Sequence, residues 1–233
     1  MTIRRFMLRR PPLAVLAVTS ALLLAVPGYR YASGVHDPAA PTASERPGEP
    51  VLVEVAAVNG SGCPRGTALV TVSPDNTSFK IIYRAFHAKV GVGAKSIDFR
   101  KNCQLNLRLR APEGHTYAIA QVDYHGYAHL EDGATALQRG AFYAAGSPAT
   151  SYTNHPVSGP YDGAWNTSDE VDVGELIWAR CGEERSLNVN TDLRVYAGAS
   201  DPTTTASSIA LHSAEGSVSS EYHFGWHHCP GTS

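Results

Sequence analysis

From Val51 onward, apolar and polar residues alternate in short runs broken by turns. Val51, Val53 and Val55 flank Leu52 and Glu54. Residues 68–72 are β-rich and stop at Ser73-Pro74-Asp75-Asn76, a turn sequence. Residues 79–86 carry Ile81, Ile82, Tyr83 and Phe86. The clearest period of two runs over 104–110: Leu105, Leu107 and Leu109 point one way, and Gln104, Asn106, Arg108 and Arg110 the other. Further strands are predicted over 116–124, 137–145, 171–179, 207–212 and 218–226. In 187–196, Leu187, Val189, Thr191, Leu193 and Val195 alternate with Asn188, Asn190, Asp192, Arg194 and Tyr196. Roughly nine to eleven strands with no long helical period predict an all-β fold. We read it as an antiparallel β-sandwich, jelly-roll-like, with a single barrel as the alternative. No internal repeat of fixed period is visible.

The first 34 residues follow another pattern. MTIRRFMLRR is a basic start, and 13–26 is an apolar run of about 14 residues, shorter than the roughly 20 that span a bilayer. Pro27-Gly28 ends it. This reads as a cleavable signal peptide over 1–34, an uncleaved anchor being the competing reading. Val26-Pro27-Gly28 and Ala32-Ser33-Gly34 both offer small residues, so cleavage is placed only within 28–34. Arg4-Arg5 followed by Phe6, Met7, Leu8 and Arg9 resembles a twin-arginine export signal; a Sec signal fits equally. Residues 35–50, rich in Pro, Ala, Ser and Thr, form a spacer, and the folded domain is expected over 51–233.

Composition agrees with one globular domain: 233 residues, 43% hydrophobic and 17% charged. The net charge of −2 conceals an asymmetry. Five of the 19 Lys and Arg and none of the 21 Asp and Glu lie in 1–34, leaving about −7 on the remainder. An acidic exported domain is a poor partner for nucleic acid or for an anionic membrane. We expect a secreted monomer whose partner is an extracellular polysaccharide or protein.

Four cysteines suit an oxidised exported domain. Of three pairings, Cys63–Cys103 and Cys181–Cys229 close neighbouring loops at the least entropic cost. Zinc is disfavoured by long spacings and the lack of a Cys-x-x-Cys pair.

Several segments together carry a family resemblance. They are Asn59-Gly-Ser-Gly-Cys-Pro-Arg-Gly-Thr67, Val72-Ser-Pro-Asp-Asn-Thr77, Lys101-Asn-Cys-Gln-Leu-Asn106, Tyr117-Ala-Ile-Ala-Gln121, Cys181-Gly-Glu-Glu-Arg-Ser-Leu-Asn-Val-Asn190 and Tyr222-His-Phe-Gly-Trp226. In this order they resemble the domain of unknown function 4360 family, secreted proteins of bacteria and filamentous fungi. The resemblance spans about 51–230 and implies secretion and a β domain, with no catalytic residue to transfer.

Two stretches carry candidate binding chemistry. Asp123, Tyr124, His125, Tyr127 and His129 set flat rings beside acids, as a carbohydrate or peptide surface does; the competing reading is a hairpin with Tyr127 and Leu130 in the core. Tyr161, Asp162 and Trp165 lie in a Gly-Pro-containing stretch expected to be a loop tip, unless Trp165 plugs the core. His223, His227 and His228 lie beside Cys229; on a strand His223 and His227 would be about 13 Å apart, too far to share a metal. A copper site at His36 would need cleavage after Val35, inside the spacer. No nucleophile elbow, zinc-protease helix or phosphate loop is present, so no cofactor or catalytic residue is assigned. The leading expectation is a non-catalytic binding module; a secreted hydrolase using acids near Asp123–Asp132, or an inhibitor of a secreted protease, are the alternatives. Asn59, Asn76 and Asn166 each begin an N-glycosylation sequon.

Overall fold

A computed structural model describes residues 46–146, 150–211 and 220–231. The expected signal peptide, residues 35–45 of the spacer and the strand ends at 212 and 218–219 lie outside the described residues. Among the described residues the chain forms twelve strands: β1 (Leu52–Asn59), β2 (Ala68–Val72), β3 (Ser78–Tyr83), β4 (His87–Gly91), β5 (Arg100–Arg110), β6 (His115–Leu130), β7 (Thr135–Ala144), β8 (Ser151–Ser158), β9 (Tyr161–Glu170), β10 (Arg185–Tyr196), β11 (Ala206–Ala210) and β12 (Ser220–His228). They build two antiparallel sheets: β1-β5-β10-β7-β8, and β2-β3-β12-β6-β11-β4 with β9 paired to β6.

The inward residues of β5 and β10 are those the period of two marks. Leu105, Leu107, Leu109, Leu187, Val189, Leu193 and Val195 are all buried. They share one core with aromatics of the opposite sheet. There Phe79 stacks on Tyr222 at 4.9 Å, and Phe224 packs against Trp226 at 5.2 Å. Two bulges reset the phase. Ala56 is the extra residue of β1 against β5, and Ala120 that of β6 against β12. The second lets Tyr117 and Ile119 point inward as well as Val122 and Tyr124.

Both expected disulfides are present, Cys63–Cys103 and Cys181–Cys229, with sequence separations of 40 and 48. The first ties the turn after β1 to β5. The second ties the connection before β10 to the residue after β12.

Two local expectations differ from the structure. The strand predicted over 171–179 does not form; the segment holds only a 3-10 turn, Val173–Glu175. Its ties to β6 are Val171 N–H to Ala120 O, Ala179 N–H to Tyr117 O and the Thr116 hydroxyl to Ala179 O, not a strand ladder. Gly174 and the acids around it leave little to bury in a sheet. Conversely, the stretch expected to be a loop tip around Tyr161–Trp165 is strand: β8 pairs β7 at the edge of one sheet, and β9 crosses to pair β6 in the other. Both strands carry few aliphatics because each lies at a sheet edge, with alternate residues only half-buried apart from Trp165.

Asn76 fixes the start of the fold. In a left-handed conformation at φ 55°, it accepts from Val51 N–H (3.0 Å) and donates to the carbonyls of Pro47 and Glu49. Its sequon is thus spent on the chain itself, whereas Asn59 and Asn166 are exposed.

The turn before β5 is organised by Asp98, which accepts from Lys101 Nζ at 2.8 Å and from Lys95 N–H at 3.0 Å. The Lys101 bond, followed by the Lys95 amide, pulls its carboxyl down to about 2. A carboxyl whose folded value is depressed stabilises the fold above its ordinary value of 3.8, and that contribution disappears as pH falls through about 2. Between pH 4 and pH 2, wild type is therefore expected to lose stability more steeply than Asp98→Asn in acid melts. Parallel curves would contradict the assignment.

Candidate ligand-binding face

The structure divides the residues the sequence singled out. Asp123 to Leu130 is the second half of β6, and β9 runs beside it with His129 opposite Asp162 and Tyr127 opposite Ala164. Tyr124 and Trp165 point inward and are buried, so neither presents a ring to solvent. Both are built into the sandwich by glycines: a Cβ at Gly140 would overlap the Tyr124 hydroxyl, and one at Gly126 the Trp165 ring. Tyr161 is half-buried at the core margin.

Asp123, His125, Tyr127, His129 and Asp162 face outward. Tyr127, 46% exposed, donates its hydroxyl to Asp162 Oδ1. That bond, ahead of a weaker one from His129, holds the Asp162 carboxyl below the usual range. His129 lies 3.5 Å from both Asp162 and Glu131. Asp123 is raised by burial, but bonds from Ser168, Gln121 and His223 outweigh this and lower it. The His223 contact is 2.7 Å. Asp123 and Asp162 are separated by six β6 positions, about 20 Å, too far to act across one glycosidic bond. Asp123 and Asp162 are acceptors already engaged by neighbouring side chains. The C-terminal histidines also separate: His223 binds Asp123, while His227 stacks on Trp178 at 4.0 Å.

A cleft of about 430 Å³ opens between the sheets beneath the 171–179 segment. Tyr117, Ile119, Phe142, Ile177 and Leu187 line it, with Glu175 and Arg185 as its charged groups. Its walls are apolar, and few polar groups converge on it.

The outer face of the β1-β5-β10-β7-β8 sheet is different in kind. Because the aliphatics of β5 and β10 point in, the alternate residues come out, and register aligns them in rows. One row runs Asn59, Gln104, Asn190, Ala141, Tyr152. The next runs Asn102, Asp192, Arg139, Asn154, and a third Arg100, Arg194, Leu137, Pro156. Beyond the first lie Asn106 and Asn188, joined side chain to side chain at 2.9 Å, then Tyr143. A depression of about 260 Å³ lies in this face, lined by Arg100, Asn102, Arg139, Tyr152, Asn190, Asp192 and Arg194. Tyr152 is 69% exposed at its edge. Asp192 accepts from Arg100 Nε and Arg194 Nε, both at 2.6 Å, and so fixes two guanidiniums in the floor. The Asp192 bond, then one to Tyr196, stabilises the charged form of Arg194.

Amides and guanidiniums are planar, multidentate groups suited to ligand hydroxyls and oxygens, and an exposed tyrosine adds a stacking surface. Sequence reasoning assigned these alternating positions to solvent and did not single them out. The signal was present: in both β5 and β10 amides recur at every second position, opposite buried aliphatics.

A family described as a domain of unknown function (DUF4360) matches residues 49–229. An uncharacterized secreted protein of Arthroderma benhamiae is 35% identical over 138 residues, 59% of this chain and 56% of that protein. The match thus spans little more than half of the relative's length. Like that relative, the chain is secreted, and no helix among the described residues is long and apolar enough to cross a membrane. Two solved structures align loosely. The carbohydrate-binding module TmCBM61 in complex with β-1,4-galactotriose has 10% identity and a TM-score of 0.27, covering 82% of this chain and 95% of that one. The enzymatically active domain of bacteriophage CBA120 tailspike protein 4 has 11% identity and a TM-score of 0.26, covering 82% of this chain and 21% of that one. Overlaps so loose say nothing about the site.

Proposed function

We propose that this chain, which belongs to the DUF4360 family, is a secreted, non-catalytic module that binds glycan on the outer face of its five-stranded sheet. The observation that supports this reading is the register. It sets Gln104, Asn190 and Tyr152 in one row and Asn102, Asp192, Arg139 and Asn154 in the next, around a shallow depression. Sugars offer hydroxyls in many directions and one apolar ring face. A surface of fixed amides with an exposed aromatic answers both needs. Strand-borne side chains hold these positions with less ordering cost than loop residues would. The two disulfides brace the same sheet's surroundings, and Cys103 lies within β5 itself.

The test is a pull-down on insoluble polysaccharides and a soluble glycan panel with the purified secreted protein. Tyr152→Ala and Asn190→Ala are each expected to weaken binding about tenfold or more, as central aromatic and hydrogen-bonding contacts do. Loss of binding in Tyr127→Ala with Tyr152→Ala unaffected would move the site to the β6–β9 face. No binding to any glycan would overturn the reading.

A further inference from the structure

We infer that the face recognises an acidic glycan, with Arg139 receiving a uronate carboxylate; this rests on the glycan-binding reading above. Outside the leader the chain is acidic, about −7. Yet Arg100, Arg108, Arg110, Arg139 and Arg194 all come out on this one sheet, against Glu54 and Asp192 on the same rows. A basic patch on an otherwise acidic protein attracts an anionic polymer to that face and repels it elsewhere.

Pairing sharpens the assignment. Arg110 is neutralised by Glu184 at 2.9 Å. Asp192 serves Arg100 and Arg194 through its two oxygens, each taking an Nε–H. Arg139 stands opposite Asp192 from β7 and has no acid partner among the described residues. It lines the same depression as Tyr152. A guanidinium fork matches a carboxylate in two parallel hydrogen bonds. A ring stacked on Tyr152 would carry its carboxylate toward Arg139, one row away on the neighbouring strand. Asn154, next to Arg139, and Asn190 remain for the hydroxyls. Half-burial of Arg139 limits solvent screening of the pair without making its cation costly to hold.

The experiment measures binding of the purified secreted protein to polygalacturonate and to alginate, each beside the same polymer with its carboxylates reduced to alcohols. Dextran sulfate is the control for charge alone. The acidic forms are expected to bind about tenfold or more tighter than the reduced ones, and the difference should shrink as salt rises. Arg139→Gln should lower affinity for the acidic polymers at least about tenfold more than for the reduced ones, with Arg139→Lys between. Unchanged melting curves of these outward-facing variants separate a lost contact from a lost fold. Equal binding of acidic and reduced polymers, still sensitive to Tyr152→Ala, would overturn this inference and leave the glycan reading standing. Tight binding of dextran sulfate with the same Arg139 dependence would also overturn it, because the site would then read charge and not carboxylate. Absence of binding to every polymer, neutral ones included, would end both.

Discussion

Replacing Cys63 and Cys103 together by alanine lowers the stability of the oxidised protein by about 4 kcal/mol, read from urea unfolding. The bridge closes a separation of 40 residues. In the chain-entropy account, opening it returns that freedom to the unfolded state. Both cysteines are also buried, so the alanines leave a small void as well. The effect reaches the binding face, since Asn102 and Gln104 flank Cys103 on β5 and take their row positions from it. Ser61 beside the bridge also meets Asn102, its hydroxyl 3.4 Å from the amide oxygen. The double variant is therefore expected to bind more weakly even where it remains folded. A loss under about 1 kcal/mol would mean the sheet itself, and not the cross-link, closes this loop. Unfolding at all denaturant concentrations would bear out the direction, and the Cys181→Ala/Cys229→Ala pair would then supply the magnitude.

Trp226→Ala is expected to cost about 3–5 kcal/mol. Trp226 is among the largest fully buried side chains. It contacts Phe224, Tyr117 and His115 by their rings. Its Nε1–H donates to the carbonyl of Asn76 at 2.8 Å. Asn76 in turn clamps the chain entering β1. Truncation removes the apolar volume and leaves a buried carbonyl without a donor, so two penalties add. Trp226→Phe isolates the second, at about 1–3 kcal/mol. Equal losses for the two variants would show that the hydrogen bond, not the packing, dominates. An undetectable loss for Trp226→Phe would remove Asn76 from the argument.

Much of this was legible in the residues. The period of two over Leu105, Leu107 and Leu109, and again over Leu187 to Val195, marked the inward faces of β5 and β10, adjacent inner strands of their sheet. The disulfide pairing followed from loop entropy. What was harder to read has physical causes. β6 spans sixteen residues with a bulge at Ala120, so no single phase describes it. Tyr124 and Trp165 belong to stretches that look like polar surface, yet Gly140 and Gly126 make inward room for them from strands distant or opposite in sequence. β8 and β9 are edge strands with half-buried faces, which local hydrophobicity does not distinguish from loops. The binding face itself is a property of register. Arg139, Asn190 and Tyr152 meet because β7 pairs β10 and β8 in a particular alignment, and no short motif encodes that.

The central claim is that ligand lies across the outer rows of the β1-β5-β10-β7-β8 sheet. Its most direct test is amide chemical-shift mapping of the labelled secreted protein during titration with a glycan it retains. Shifts concentrated at Asn102, Gln104, Arg139, Ala141, Tyr152, Asn190 and Asp192 are the predicted result. Shifts concentrated instead at His125, Tyr127, His129 and Asp162 on the β6–β9 face, or around Ile119, Phe142 and Leu187 in the inter-sheet cleft, would contradict it.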